Sequence, residues 1–194
     1  MKKILIIIIS FNLCFNHVFS TEPDIFVQST VNRASQILSK NISKEEKING
    51  LRTIAKETVD IEGIGFYSLG SARKNLNDNQ KKMYFDLFEN YFLKSFSSRL
   101  SEYTNPKINV ESKKVINENY TIVNSVLIST PDRPEVKIDW RIYTKNPEEP
   151  LIRDLIIEGL SLARTQKEEF ASILNSNDGD IKALFETLEN FSKN

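Results

Sequence analysis

Ile25, Phe26, Thr30, Ala34, Ile37 and Leu38 follow one another at steps that keep them on one side of a helix, so the chain opens with an amphipathic helix over about 24–38. A second helix is announced by Ser43-Lys44-Glu45-Glu46, a capping box in which hydroxyl and carboxylate each satisfy a free amide, ahead of Ile48, Leu51, Ile54 and Ala55. The run 61–70 reads as a short helical turn stopped by Gly70. The strongest periodicity comes next. From about 78 to 103, behind the cap pair Asn77 and Gln80, the residues Phe85, Phe88, Phe92, Phe96, Leu100 and Tyr103 share a face, which Tyr84, Leu87 and Tyr91 widen.

After Asn105-Pro106 the period drops to two. Ile108 and Val110 alternate with polar residues, 122–128 is a second apolar run, and Val136, Ile138, Trp140 and Ile142 alternate with Lys137, Asp139 and Arg141. A fourth strand spans 151–158. Proline-bearing breaks at 131–134 and 146–150 separate the later strands by short turns, as in an antiparallel meander. Two helices close the chain, over about 161–174 and after Asn177-Asp178-Gly179, the last carrying Ile181, Leu184, Phe185, Leu188 and Phe191. The predicted fold class is α+β: N-terminal helices, a curved four-stranded antiparallel sheet and C-terminal helices, with helices packed on one sheet face.

The first twenty residues stand apart. Lys2 and Lys3 precede the apolar run 4–9, and Val18 and Ser20 occupy the minus-three and minus-one positions of a cleavage site before Thr21, the pattern of a secretory signal peptide. The apolar run is far short of the roughly 20 residues needed to span a bilayer. Removing 1–20 leaves 21–194 as a single domain. It also removes Cys14 and His17, which are the chain's one cysteine and one histidine. The mature chain is then expected to form no disulfide, to lack thiol and imidazole nucleophiles, and to have no His/Cys metal site. Loss of Lys2 and Lys3 from the 26 basic residues leaves 24 against 26 acidic, a balance that does not suggest nucleic acid.

Little in the remaining sequence suggests catalysis. Asp139, Asp154 and Glu158 lie on neighbouring strands, but Asp139 shares its strand face with Lys137 and Arg141, so this trio reads as paired charge on the sheet's outer face. Asp60 and Glu62 read as helix-capping or solvated acids. Gly63 and Gly65 lack the third glycine and preceding strand of a phosphate loop. The apolar faces either close as a filled core or leave a pocket, and the residues alone leave both open, with a carboxylate enzyme as a third reading.

The segment Leu155-Ile156-Ile157-Glu158-Gly159-Leu160-Ser161-Leu162, preceded by Asp154 and followed by Phe170, resembles the MlaC family, as do Leu69-Gly70 and the aromatic helix. The family's pattern is an aspartate, a short apolar strand, Glu-Gly-hydrophobic-Ser-Leu and a downstream phenylalanine. Two departures occur. The family's tryptophan at the start of the last strand is replaced by Pro150-Leu151, and its Tyr-Arg pair in the following helix by Gln166-Lys167. The resemblance implies an NTF2-like curved-sheet fold and a periplasmic phospholipid-binding protein with no cofactor. It also implies partners, an inner-membrane ABC transporter with a ring of lipid-binding domains and an outer-membrane lipoprotein complex. A shuttle between them is most simply a monomer. The acyl tails are expected between the aromatic helix and the inner sheet face, against Phe66, Leu69, Phe88, Phe92, Val123, Ile138, Trp140, Ile142, Leu155 and Ile157. Glu158, Gly159 and Ser161 are expected to be structural, turning the last strand into a helix.

Overall fold

The computed structural model describes residues 21–193, so the proposed signal peptide, with Cys14 and His17, lies outside the described residues. Helices α1 (Pro23–Ser39), α2 (Lys44–Thr58), α3 (Ile61–Ser68) and α4 (Asp78–Leu100) come first, with a 3-10 helix Gly70–Asn75 between the last two. Their boundaries are chemical. Ser43 and Glu46 close a capping box on α2, Asn77 and Gln80 close another on α4, and the Asp60 carboxylate accepts from the Gly63 amide to start α3. Gly70 takes the left-handed conformation that stops α3, with φ +57°.

Strands β1 (Ile108–Asn117), β2 (Tyr120–Leu127), β3 (Val136–Tyr143), β4 (Leu151–Ile157) and β5 (Leu160–Ser161) form one antiparallel sheet in chain order, followed by α5 (Leu162–Asn175) and α6 (Ile181–Lys193). The sequence predicts four strands and the sheet has five. The extra one is two residues long, because Glu158 and Gly159 both adopt positive φ and form a tight hairpin instead of leading straight into the helix. Ser161 then caps α5 by accepting from the Arg164 amide at 3.1 Å.

Thr121, Val123, Ser125, Ile138, Trp140, Ile142 and Ile152 are buried on the inner sheet face, beneath the helices. Register is kept on β4 by a bulge: Ile142 pairs with Ile152 and Arg141 with Asp154, so Arg153 is the extra residue. This insertion lets Ile152, Leu155 and Ile157 all face inward. Between α2 and α3 the chain runs beside β4, where Val59 bridges Ile152 and the Asp60 amide donates to the Ile152 carbonyl at 2.9 Å. Helix α4 packs against α2, α3 and α6. Tyr84 and Phe88 are fully buried on it, and the Tyr84 hydroxyl donates to the Gly65 carbonyl at 2.9 Å.

Candidate apolar binding site

The layer of helices does not seal onto the sheet everywhere. An inner cavity of about 140 Å³ lies between α1, α2, the end of α4 and the sheet, against Val31, Ala34, Leu38, Leu51 and Ile54 on the helices and Ile138, Trp140 and Ile157 on the strands. An adjoining cavity of about 170 Å³ lies between α4, α5 and β4, against Ile64, Phe88, Phe92, Leu162 and Ala163. Val59, Phe96, Trp140, Ile152 and Leu155 line both, so the two are lobes separated by a wall of apolar side chains. Burying such residues normally stabilises a fold by excluding water. An unfilled apolar space instead leaves their dispersion contacts unmet, and it favours an apolar occupant over water.

Small side chains make the inner lobe. Thr30, Ala34, Ser35, Ala55 and Thr58 line it where larger residues would close the gap, and the Thr30 and Thr58 hydroxyls are turned back to the Phe26 and Ile54 carbonyls. Trp140 offers its ring to both lobes while its indole N–H donates to Ser125 Oγ at 2.8 Å, and Ser125 in turn donates to the Ile138 carbonyl. The polar atoms nearest the apolar walls are thereby satisfied within the protein.

Of the ten residues predicted from sequence, Phe88, Phe92, Ile138, Trp140, Leu155 and Ile157 line the lobes. Leu69, Val123 and Ile142 are packed in the core, at 3%, 0% and 0% exposure, and border neither lobe. Phe66 is on the outside: it is 40% exposed, stacks on Phe85 and carries the Arg73 guanidinium 5.0 Å above its ring. Sequence reasoning missed the contribution of α1 and α2. Its signal was there, in the cluster of alanine, serine and threonine on otherwise apolar helix faces.

Asp154 also corrects an expectation. It is not on the solvated outer surface but 4% exposed, the one buried carboxylate among the described residues. Its Oδ2 accepts from Ser161 Oγ at 2.6 Å and its Oδ1 from the Ala163 amide at 3.0 Å, which fastens the start of α5 to β4. Glu158 is likewise occupied, accepting from the Lys137 amide at 2.5 Å. Asp60, besides capping α3, accepts from Arg153 Nε at 2.5 Å. Arg153 also donates to the Tyr120 hydroxyl and lies 3.8 Å from the centre of the Tyr143 ring. Partial burial lowers its pKa, but the bonds to Asp60 and Tyr120 outweigh that and raise it overall. These acids hold the frame around the cavity. They do not converge inside it.

The outer lobe reaches the surface between α4 and α5. Its rim carries Ser95 and Arg99 from α4 and Thr165, Gln166 and Glu169 from α5. Tyr91 donates to Gln166 Oε1 at 2.9 Å, and Gln166 Nε2 donates to Glu169 at 3.0 Å. The substituted pair Gln166-Lys167 is therefore engaged locally, with the Lys167 ammonium 5.1 Å above the Tyr67 ring.

Comparison with known proteins places this architecture. A family model described as MlaC protein matches residues 28–190. The chain is 26% identical over 166 residues to the intermembrane phospholipid transport system binding protein MlaC of Haemophilus influenzae, an overlap of 81% of this chain and 77% of that protein. In fold it resembles a phospholipid-binding protein from Ralstonia solanacearum, solved in complex with a phospholipid at 1.53 Å resolution. The TM-score is 0.74 at 16% identity, over 89% of this chain and 98% of that one.

Proposed function

The chain belongs to the MlaC protein family, and from that premise we propose that it is a phospholipid carrier whose acyl tails occupy the two apolar lobes. The observation that carries the reading is the pair of lobes itself, built from aromatic and aliphatic side chains between helices and sheet and open at one rim. The names of its relatives support the ligand class: one is a phospholipid transport binding protein and the other was solved with a phospholipid.

The energetics define what such a carrier must do. Each methylene gains about 0.8 kcal/mol on leaving water, so exposing a chain of roughly fifteen carbons costs on the order of 10 kcal/mol. That cost makes unassisted passage between membranes slow. A protein that shelters the tails and leaves the charged headgroup in water removes most of it without having to desolvate a charge. Each lobe is smaller than the roughly 300 Å³ at which ligand pockets usually begin. Loading therefore requires the shared wall of Phe96, Trp140 and Leu155 to yield.

On this reading 1–20 is a cleaved signal peptide and 21–194 a single lipid-binding domain that works in the periplasm as a monomer. It collects lipid from, or delivers it to, an outer-membrane lipoprotein complex and an inner-membrane ABC transporter with a lipid-binding ring. The reaction is transfer, with no covalent step. Native mass spectrometry of the mature chain, followed by lipid extraction, tests the proposal. Stoichiometric phospholipid released on denaturation is the expected result. A lipid-free mass, unchanged after incubation with phospholipid vesicles, would instead favour an interaction protein of the same fold that does not bind lipid.

A further inference from the structure

We propose that Arg99 binds the phosphate of the bound lipid, which places the headgroup at the α4–α5 rim and the tails inward from it. The inference rests on the carrier reading and adds to it a position and a residue. Phe88, Phe92 and Phe96 line the outer lobe at successive turns of α4, with Ser95 beside them, and Arg99 is the next residue on that face. The stripe that lines the cavity thus ends in a guanidinium at the point where the cavity meets water. A glycerophospholipid has the same order of chemistry along its length, apolar tails and then a phosphodiester.

Arg99 is available for this role. It is exposed, and among the described residues it stands in no ion pair. It is the only cationic side chain lining either lobe among the described residues. Two acids line the same lobe, and both already accept hydrogen bonds: Asp154 from Ser161 and Ala163, Glu169 from Gln166. Its place in the last turn of α4 also suits a cation, since the helix dipole is negative there. A guanidinium presents two parallel donors to a phosphate, a geometry that an ammonium lacks. The far end of the inner lobe offers a rival, Arg133, which stacks 4.6 Å above the Tyr103 ring beside the loops 103–107 and 127–133.

The test uses lipid-stripped mature protein and mixed vesicles of phosphatidylglycerol and diacylglycerol carrying the same palmitoyl and oleoyl chains. The ratio of the two lipids extracted from re-isolated protein is compared among wild type, Arg99→Gln, Arg99→Lys and Arg133→Gln. The expected result is that Arg99→Gln lowers the preference for the phosphate-bearing lipid about tenfold, the scale of one charged hydrogen bond near a surface. Arg99→Lys is expected to restore part of it, and Arg133→Gln to leave it unchanged. An Arg99→Gln ratio equal to wild type, with both proteins loaded, overturns the headgroup site while the carrier reading stands. Loss of preference in Arg133→Gln alone also overturns it and moves the headgroup to the opposite end. Wild-type protein that takes up neither lipid overturns the carrier reading and this inference with it.

Discussion

Ser161 Oγ donates to Asp154 Oδ2 at 2.6 Å and at the same time accepts from the Arg164 amide at 3.1 Å, so one hydroxyl joins the last long strand to the helix that follows it. Asp154 takes a second bond from the Ala163 amide, and it is the more deeply buried partner. Replacing Asp154 with alanine strands a hydroxyl and an amide, and is expected to cost about 2–4 kcal/mol. Ser161→Ala removes a cap and should cost about 1 kcal/mol. Urea unfolding midpoints measure both. A loss in Asp154→Ala no larger than in Ser161→Ala would show that the carboxylate is not the anchor of α5.

Tyr84 predicts an alkaline instability. Burial, with a smaller contribution from neighbouring Tyr91, raises its phenol well above its ordinary pKa of 10.0. The folded form therefore keeps the proton at pH values where the unfolded chain releases it. Its contribution is fully present below about pH 10 and is lost as pH rises beyond that. Tyr84→Phe should lower stability by about 1 kcal/mol at neutral pH through loss of the bond to Gly65. It should also fall less steeply than wild type between neutral pH and pH values above 10, as read from denaturation midpoints. Parallel curves for the two proteins would rule out the phenol as the cause.

Ala34 and Val123 separate a cavity effect from a core effect. Ala34 borders the inner lobe, whereas Val123 is fully buried and borders neither. Ala34→Trp is expected to keep a cooperative melt while lowering co-purified phospholipid well below stoichiometric. Val123→Trp overpacks the core, at a cost of about 1–3 kcal/mol or more, and should depress the melting temperature first. Full lipid content in folded Ala34→Trp protein would place the tails elsewhere.

Two glycines should respond differently to alanine. A Cβ on Gly65 would lie 2.7 Å from the Phe88 ring, whereas one on Gly159 meets nothing within 4 Å but sits at φ +82°. Gly159→Ala is expected to cost about 1–2 kcal/mol of backbone strain and leave lipid content unchanged. Gly65→Ala must displace a cavity-lining ring, and should change both stability and lipid content. Equal lipid content in the two variants would argue that Phe88 does not meet the ligand.

These contrasts show where the sequence was legible. The helices were visible because their caps are local chemistry, Ser43 with Glu46 and Asn77 with Gln80, and the meander because Trp140 and its neighbours alternate cleanly. Strand β5 was not, because two residues have no periodicity and are a strand only through pairing with Ile156 and Ile157. Asp154 does share the outer face with its cross-strand partner Arg141, but the start of α5 covers it there through Ser161 and Ala163, a contact that alternation along one strand does not carry. For the site, periodicity told which side of an element faces inward but not where the interior is left unfilled. Val123 and Trp140 are cross-strand partners on the same face, yet only Trp140 borders a void. That difference depends on the helices above, where Ala34 and Ala55 leave space. Phe66 is out of reach of this reasoning because a helix as short as α3 leaves both its aromatics, Phe66 and Tyr67, exposed while burying Ile64.

The bulge on β4 has a consequence for how this chain could change over evolutionary time. Without Arg153, the run Leu151, Ile152, Asp154, Leu155, Ile156, Ile157 would alternate out and in without a break. The arginine thus behaves as an insertion whose removal leaves both flanking frames in phase. A deletion there should fold, keeping the cavity-facing residues in place, and lose only the tie to Asp60, Tyr120 and Tyr143. Mutation can therefore alter the strength of that outer clasp in a single step, independently of the surface that meets the ligand.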